Sequence, residues 1–147
     1  MSGVSLGAAT VLNASDLDLP ENVKCIIADC GFTSPKEIIC KVAKEQGYPI
    51  KICYPLLKLS CKLRAGFDLD ESSALEAVSN TKIPILIIHG DDDRYVPVEM
   101  GERLYDACAS KKQFLKVHGA PHAASYMIDK DAYTKTAGDF IFKYCGE

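Results

Sequence analysis

The sequence predicts an α/β fold: a three-stranded parallel sheet flanked by helices, with a helical cap-like insertion in one crossover. Two observations carry this expectation. Three short apolar runs, from Val23 to Asp29, from Ile83 to Ile88 and from Gln113 to Val117, have the length and composition of buried strands. The stretches between them carry apolar residues at helical spacing, and strands that alternate with helices pair in parallel. At 147 residues and 48% hydrophobic content, the chain is long enough for one domain with a sizeable core.

Gly3-Val4-Ser5-Leu6-Gly7 reads G-x-S-x-G and runs into the helix-compatible segment Ala8-Ala9-Thr10-Val11-Leu12. Such a turn holds a serine hydroxyl clear of the backbone, and a Cβ at either flanking glycine is expected to collide with it. The helix after Ser5 aims free N–H groups at any negative charge that forms nearby. A chance match somewhere in a chain of this length has odds of about 5%, so the motif needs support from elsewhere. Residues 15–20 form a loop before the first apolar run, whose centre is Cys25-Ile26-Ile27-Ala28. Ser34 as N-cap and Pro35 at the first helical position open the next helix, with Ile38, Ile39, Val42 and Ala43 as its apolar stripe.

Residues 33–80 are longer than one crossover needs and read as a crossover with an inserted cap. Within them, Tyr54, Leu56, Leu57, Cys61 and Leu63 fit an amphipathic helix with lysines opposite. A cap helix packed on the body is the expectation; a helix for a partner or a membrane surface is the alternative. Residues 72–78 are a short helix. Pro97 opens a helix with Met100, Leu104, Tyr105 and Cys108 facing inward. The last helix, about 131–144, presents Tyr133, Ala137, Phe140, Ile141 and Tyr144.

Composition excludes several classes. Seventeen Lys and Arg against twenty Asp and Glu give a formal net charge of −3, with no basic stripe to bind nucleic acid. No apolar run is long enough for a transmembrane segment, and no basic n-region precedes the mildly apolar start, so a cytoplasmic location is expected. Seven cysteines without a C-x-x-C pair point to free thiols, with neither a zinc site nor a disulfide framework. Neither a metal nor an organic cofactor is expected.

In an open parallel sheet, chemistry gathers beyond the carboxyl ends of the strands. Three loops there hold Ser5; Asp91, Asp92 and Asp93; and His118 and His122. A serine hydroxyl needs an imidazole to take its proton, and a carboxylate to orient that imidazole and stabilise its charged form. Asp29, ending the first apolar run, is a further candidate acid. His89 reads as part of the turn and His118 as a strand-end residue.

Three motifs carry a resemblance to the α/β-hydrolases. His89-Gly90-Asp91-Asp92-Asp93-Arg94-Tyr95-Val96-Pro97 is similar to their H-G-x-x-D-x-x-V-P acid loop. Gly119-Ala120-Pro121-His122 resembles their G-x-x-H base loop, and residues 3–7 resemble their nucleophile elbow. The likeness is to the C-terminal part of such a fold, of the BEM46-like bacterial serine hydrolase type, with the N-terminal half absent. It implies Ser5 as nucleophile, Asp93 as acid, His122 as base and the Leu6 N–H as an oxyanion donor. The implied function is hydrolysis of a small-molecule ester or acyl compound through an acyl-enzyme. The alternative is a non-catalytic remnant acting as a self-associating domain. In the family's strand order the elbow strand lies beside the run from Val23 to Asp29, so that edge is expected to lie open and to pair with a second copy.

Overall fold

Side chains alternate along the strands, and this alternation sorts the core onto the two faces of one sheet. The computed structural model describes residues 1–146. Its strands are β1 (Ser2–Val4), β2 (Ile26–Asp29), β3 (Ile85–Gly90) and β4 (Lys112–Val117), all parallel and in the order β1-β2-β3-β4. Helix α1 (Leu6–Asn13) joins β1 to β2. Helices α2 (Pro35–Glu45), α3 (Ile50–Ala65) and α4 (Ala74–Asn80) lie between β2 and β3. Helix α5 (Val98–Ala107) joins β3 to β4, and α6 (Ser125–Ile128) and α7 (Lys130–Cys145) follow.

On one face, Ile26, Ala28, Ile85 and Ile87 meet Ala8 and Leu12 of α1, Ala74 and Val78 of α4, and Leu104 of α5. On the other, Ile27, Leu86, Ile88 and Val117 meet Phe140 of α7. Each fully buried Leu or Ile contributes roughly 1.5–3 kcal/mol relative to exposure, so these two layers fix the sheet on which the loops sit. Ala9 of α1, Phe32, Ile38 of α2, Val96 and Met100 form a third cluster at the carboxyl end of the strands.

The sheet has four strands, not three. Ser2, Gly3 and Val4 align with Ile27, Ala28 and Asp29. Three residues, two of them small, carry no pattern of their own; pairing with the apolar β2 makes them a strand. The edge from Val23 to Asp29, expected to lie open for a second copy, is therefore covered by β1, and only residues 26–29 of that run are strand.

Ser34 caps α2, its hydroxyl accepting the Glu37 N–H at 3.2 Å with Pro35 at the first helical position. Helix α3 lies along α2 with Cys53, Tyr54 and Leu57 toward it, yet none of its residues is fully buried. Ile141, expected on the inner face of α7, is exposed.

All seven cysteines are free thiols. Cys25 and Cys145 bring their sulfurs within 3.7 Å, joining the start of β2 to the end of α7. Burial pushes the Cys25 thiol above its usual range, which lowers its thiolate fraction and its reactivity. Thiol counting on denatured protein prepared without reductant is expected to return seven. A count of five would mean that this pair has oxidised.

Candidate active site

Parallel strands place the loops after β1, β2, β3 and β4 at one end of the sheet. Ser5 occupies the first. Its φ of 54° and ψ of −115° lie outside the populated regions for a residue with a Cβ, a conformation that costs on the order of 1–3 kcal/mol and persists only where neighbours enforce it. The Ser5 N–H donates to the Asp29 carbonyl at 2.8 Å, and the Ser5 carbonyl accepts from Ala9 N–H at 3.0 Å. The strand-to-helix turn is thereby pinned to β2 on one side and to α1 on the other.

The two motif glycines have different reasons. A methyl at Gly3 would overlap the Gly7 carbonyl and crowd the Ala8 nitrogen, whereas one at Gly7 meets nothing. The expectation that both flanks exclude a Cβ holds for Gly3 alone. Gly3→Ala is expected to destabilise the protein by several kcal/mol, by forcing the elbow open. Gly7→Ala should be neutral or stabilise by up to about 1 kcal/mol, as alanine replaces glycine within a helix. Urea denaturation of the two variants checks this, and equal effects would contradict it.

Asp93 sits in the loop after β3. Its Oδ1 accepts the N–H groups of Tyr95 and Val96 at 2.9 and 2.8 Å. His89, fully buried in β3, holds the far side of the loop. Its Nε2 lies 2.9 Å from the Val96 carbonyl and 3.5 Å from Asp93 Oδ2. A carbonyl only accepts, so the His89 proton resides on Nε2. Gly90 is required because a Cβ there would overlap the Ala120 carbonyl of the loop after β4. Burial alone would push the Asp93 carboxyl up. Hydrogen bonds from His89, His122 and the Val96 N–H outweigh it and hold the group below the ordinary carboxylate range.

The loop after β4 delivers His122. Its Nδ1 donates to Asp93 Oδ2 at 2.7 Å, and its Nε2 lies 2.8 Å from Ser5 Oγ. Since the carboxylate only accepts, Nδ1 carries the proton and Nε2 is free to accept from the serine hydroxyl. The Tyr95 ring packs at 5.2 Å from the His122 ring. Ser5, Asp93 and His122 thus form one chain of hydrogen bonds, and Leu6 begins α1 directly beside it, where the first helical turn leaves backbone N–H groups without intrahelical acceptors.

The other candidates have different partners. Asp91 pairs with His118 Nδ1 at 2.8 Å and accepts the Gly119 N–H at 2.6 Å. That bond draws its carboxyl down and raises the His118 imidazole. The pair braces the acid loop against the base loop from the solvent side. Asp92 is exposed beside Arg94. Asp29 is buried, with Ser125 Oγ donating to it at 3.2 Å; burial pushes its carboxyl up against bonds from Ser125 and Tyr133. Sequence analysis placed Tyr133 only on the apolar side of the last helix and did not single out Ser125; a bond from either to Asp29 gives no signal until the fold brings them together.

Cys30, Asp93 and His122 offer donor atoms within 4.8 Å of one another. The set fits a metal poorly. Both Asp93 oxygens and both His122 nitrogens already hold hydrogen bonds. Burial, with Asp29 beside it, pushes the Cys30 thiol up to about 12, far from the thiolate that ligates metals.

Beside His122 lies an open crevice of about 340 Å³ lined by Asp92, Arg94, Tyr95 and Pro121. Tyr95 also lines the next crevice, about 280 Å³, with Ile38, Ile39, Val42 and Ala43 of α2.

Residues 3–125 match the family described as serine hydrolase (FSH1). Among curated proteins, the chain is 31% identical over 140 residues to the uncharacterized protein YqkD of Bacillus subtilis, covering 95% of this chain and 46% of YqkD. It is 30% identical over 131 residues to the lysophosphatidylserine lipase ABHD12 of Danio rerio, covering 81% of this chain and 31% of the lipase. The chain therefore spans less than half the length of these relatives. Among solved structures, the esterase domain of a Rhodothermus marinus protein superposes with a TM-score of 0.68 at 22% identity, covering 97% of this chain and 59% of that one. The Pyrococcus furiosus esterase Pf2001 gives 0.68 at 18% identity, covering 99% of this chain and 53% of its own. At these identities the structures share the fold: a partial α/β-hydrolase.

Proposed function

We propose that this chain, which belongs to the FSH1 family of serine hydrolases, cleaves carboxylic esters or related acyl compounds through an acyl-enzyme formed on Ser5. The observation that supports this reading is the unbroken chain from Ser5 Oγ through His122 to Asp93, at 2.8 and 2.7 Å, with the serine held at a positive φ.

In the first half-reaction Ser5 Oγ bonds to the substrate carbonyl carbon while its proton passes to His122 Nε2. The buried Asp93 carboxylate stabilises the imidazolium so formed. Negative charge moves to the carbonyl oxygen, where the Leu6 N–H is the assigned donor. Removal of one such donor costs about 10²–10³ in rate. The carbonyl re-forms as the alcohol leaves with the proton from His122. In the second half-reaction water gives its proton to His122 and attacks the acyl carbon; Ser5 Oγ leaves and recovers that proton, releasing the acid. No step needs a metal or an organic cofactor. The apolar crevice beyond Tyr95 suits the acyl portion, with the alcohol toward solvent near Arg94.

Burst kinetics with a short-chain aryl ester test the reading. With an activated aryl ester acylation is the faster step, so up to one equivalent of phenol should appear ahead of the steady rate as the acyl-enzyme accumulates. A folded protein that releases none would count against it. Membership of a hydrolase family, with esterases as structural neighbours, does not favour the remnant reading.

A further inference from the structure

Helix α3 is sixteen residues long and buries none of them. Its apolar residues divide between two sides. Cys53, Tyr54 and Leu57 face α2, where they close an apolar crevice of about 320 Å³ with Ile39, Ala43 and Tyr48. On the opposite side Ile52, Leu56, Leu59 and Leu63 are 61%, 62%, 53% and 77% exposed. Their spacing places them in one line along the helix. Scattered exposed aliphatics need no explanation, but four in a line on one helix form a surface.

Charge says what that surface fits. The helix carries Lys51, Lys58, Lys62 and Arg64 and no acid. Residues 35–66 hold seven Lys or Arg and two Glu, in a chain whose formal charge is −3. Lys58 is engaged by Asp68 and Asp70. Lys51, Lys62 and Arg64 have no ion pair among the described residues, and at 100° per residue they border the apolar line, the lysines on one side and the arginine on the other. Packing α3 against α3 of a second copy would oppose like charges. An anionic interface accepts both the aliphatic line and its basic borders.

We infer that α3 docks this protein on an anionic lipid surface, with Ile52, Leu56, Leu59 and Leu63 in the boundary between headgroups and acyl chains. No helix among the described residues is long and apolar enough to cross a membrane; α3 lies along the surface rather than across it. The crevice under α3 shares Ile39, Ala43 and Tyr48 with the one that reaches Tyr95, beside His122. The docked helix thus stands at the outer end of an apolar path to Tyr95, beside His122 of the proposed catalytic group. That last link rests on the hydrolase reading; the docking does not.

Sedimentation with phosphatidylcholine vesicles, with and without phosphatidylglycerol, tests it. The full chain is used with Ser5→Ala, so that binding is read apart from hydrolysis. Anionic vesicles should carry the protein down, neutral vesicles much less, and added salt should weaken binding. Leu56→Glu with Leu63→Glu, and separately Lys51→Glu with Lys62→Glu, should each weaken it about tenfold or more, with unchanged circular dichroism. The inference is overturned if the folded protein ignores anionic vesicles, if either double variant binds as before, or if neutral vesicles bind equally well. It is also overturned if the leucine variant abolishes a dimer seen by light scattering while vesicle binding is absent. Absence of ester hydrolysis by the unsubstituted chain, with vesicle binding intact, would count against the proposed function alone.

Discussion

Ser5→Ala is expected to lower kcat/KM for an aryl ester by about 10⁴–10⁶, the scale on which removal of an activated nucleophile acts. The fold should survive, because among the described residues the Ser5 hydroxyl bonds only to His122, while the turn is held by the Ser5 backbone. Asp91→Asn should retain most activity. Asp91 lies on the solvent side, bonded to His118 and the Gly119 N–H, and touches neither Ser5 nor His122. Steady-state kinetics on the two variants decide the assignment. Undiminished turnover in Ser5→Ala removes Ser5 from the chemistry, and a large loss in Asp91→Asn moves the acid to the wrong residue.

Asp93→Asn should lower kcat by about 10⁴, because an amide facing His122 Nδ1 can favour the wrong tautomer. It should also destabilise the protein. Every group aimed at this buried carboxylate donates: His122, the Tyr95 and Val96 N–H groups, and His89 at longer range. An asparagine NH₂ among them leaves at least one donor without an acceptor, at about 1–3 kcal/mol. The pH dependence has a definite sign. A carboxyl whose folded pKa lies below its unfolded value of about 3.9 contributes stability that is complete above that value. The contribution is lost as pH falls through the folded pKa. The native protein should therefore lose stability more steeply than Asp93→Asn below about pH 4. Urea midpoints across that range measure it, and parallel curves would contradict it.

The three loops that converge on the site were legible because the motifs state their own geometry. Pro97 follows Asp93 at the spacing of an acid loop, and Ser5 is followed at once by a helix. Much of what braces them was not legible. His89 read as a turn residue, yet it is buried in β3 and holds Val96 and Asp93, a role that depends on which way a strand residue points. β1 was invisible, since Ser2-Gly3-Val4 becomes a strand only through its pairing with β2. The 33–80 segment read as a crossover with an inserted cap; that its last helix, α4, puts Ala74 and Val78 into the core against α1 and β3 was not legible. Helix α3 read as amphipathic with lysines opposite; its apolar residues in fact lie on two sides, a division that periodicity alone assigns only once one side is seen against α2.

Mass-spectrometric mapping of a fluorophosphonate adduct tests the central claim most directly. Such a probe bonds only to a serine whose proton is taken as it attacks. The expected result is one adduct, on the peptide that contains Ser5, lost in His122→Ala while the protein stays folded. An adduct on another residue, such as Ser125, or no adduct on a folded protein, would contradict the assignment of Ser5, His122 and Asp93 as one working unit.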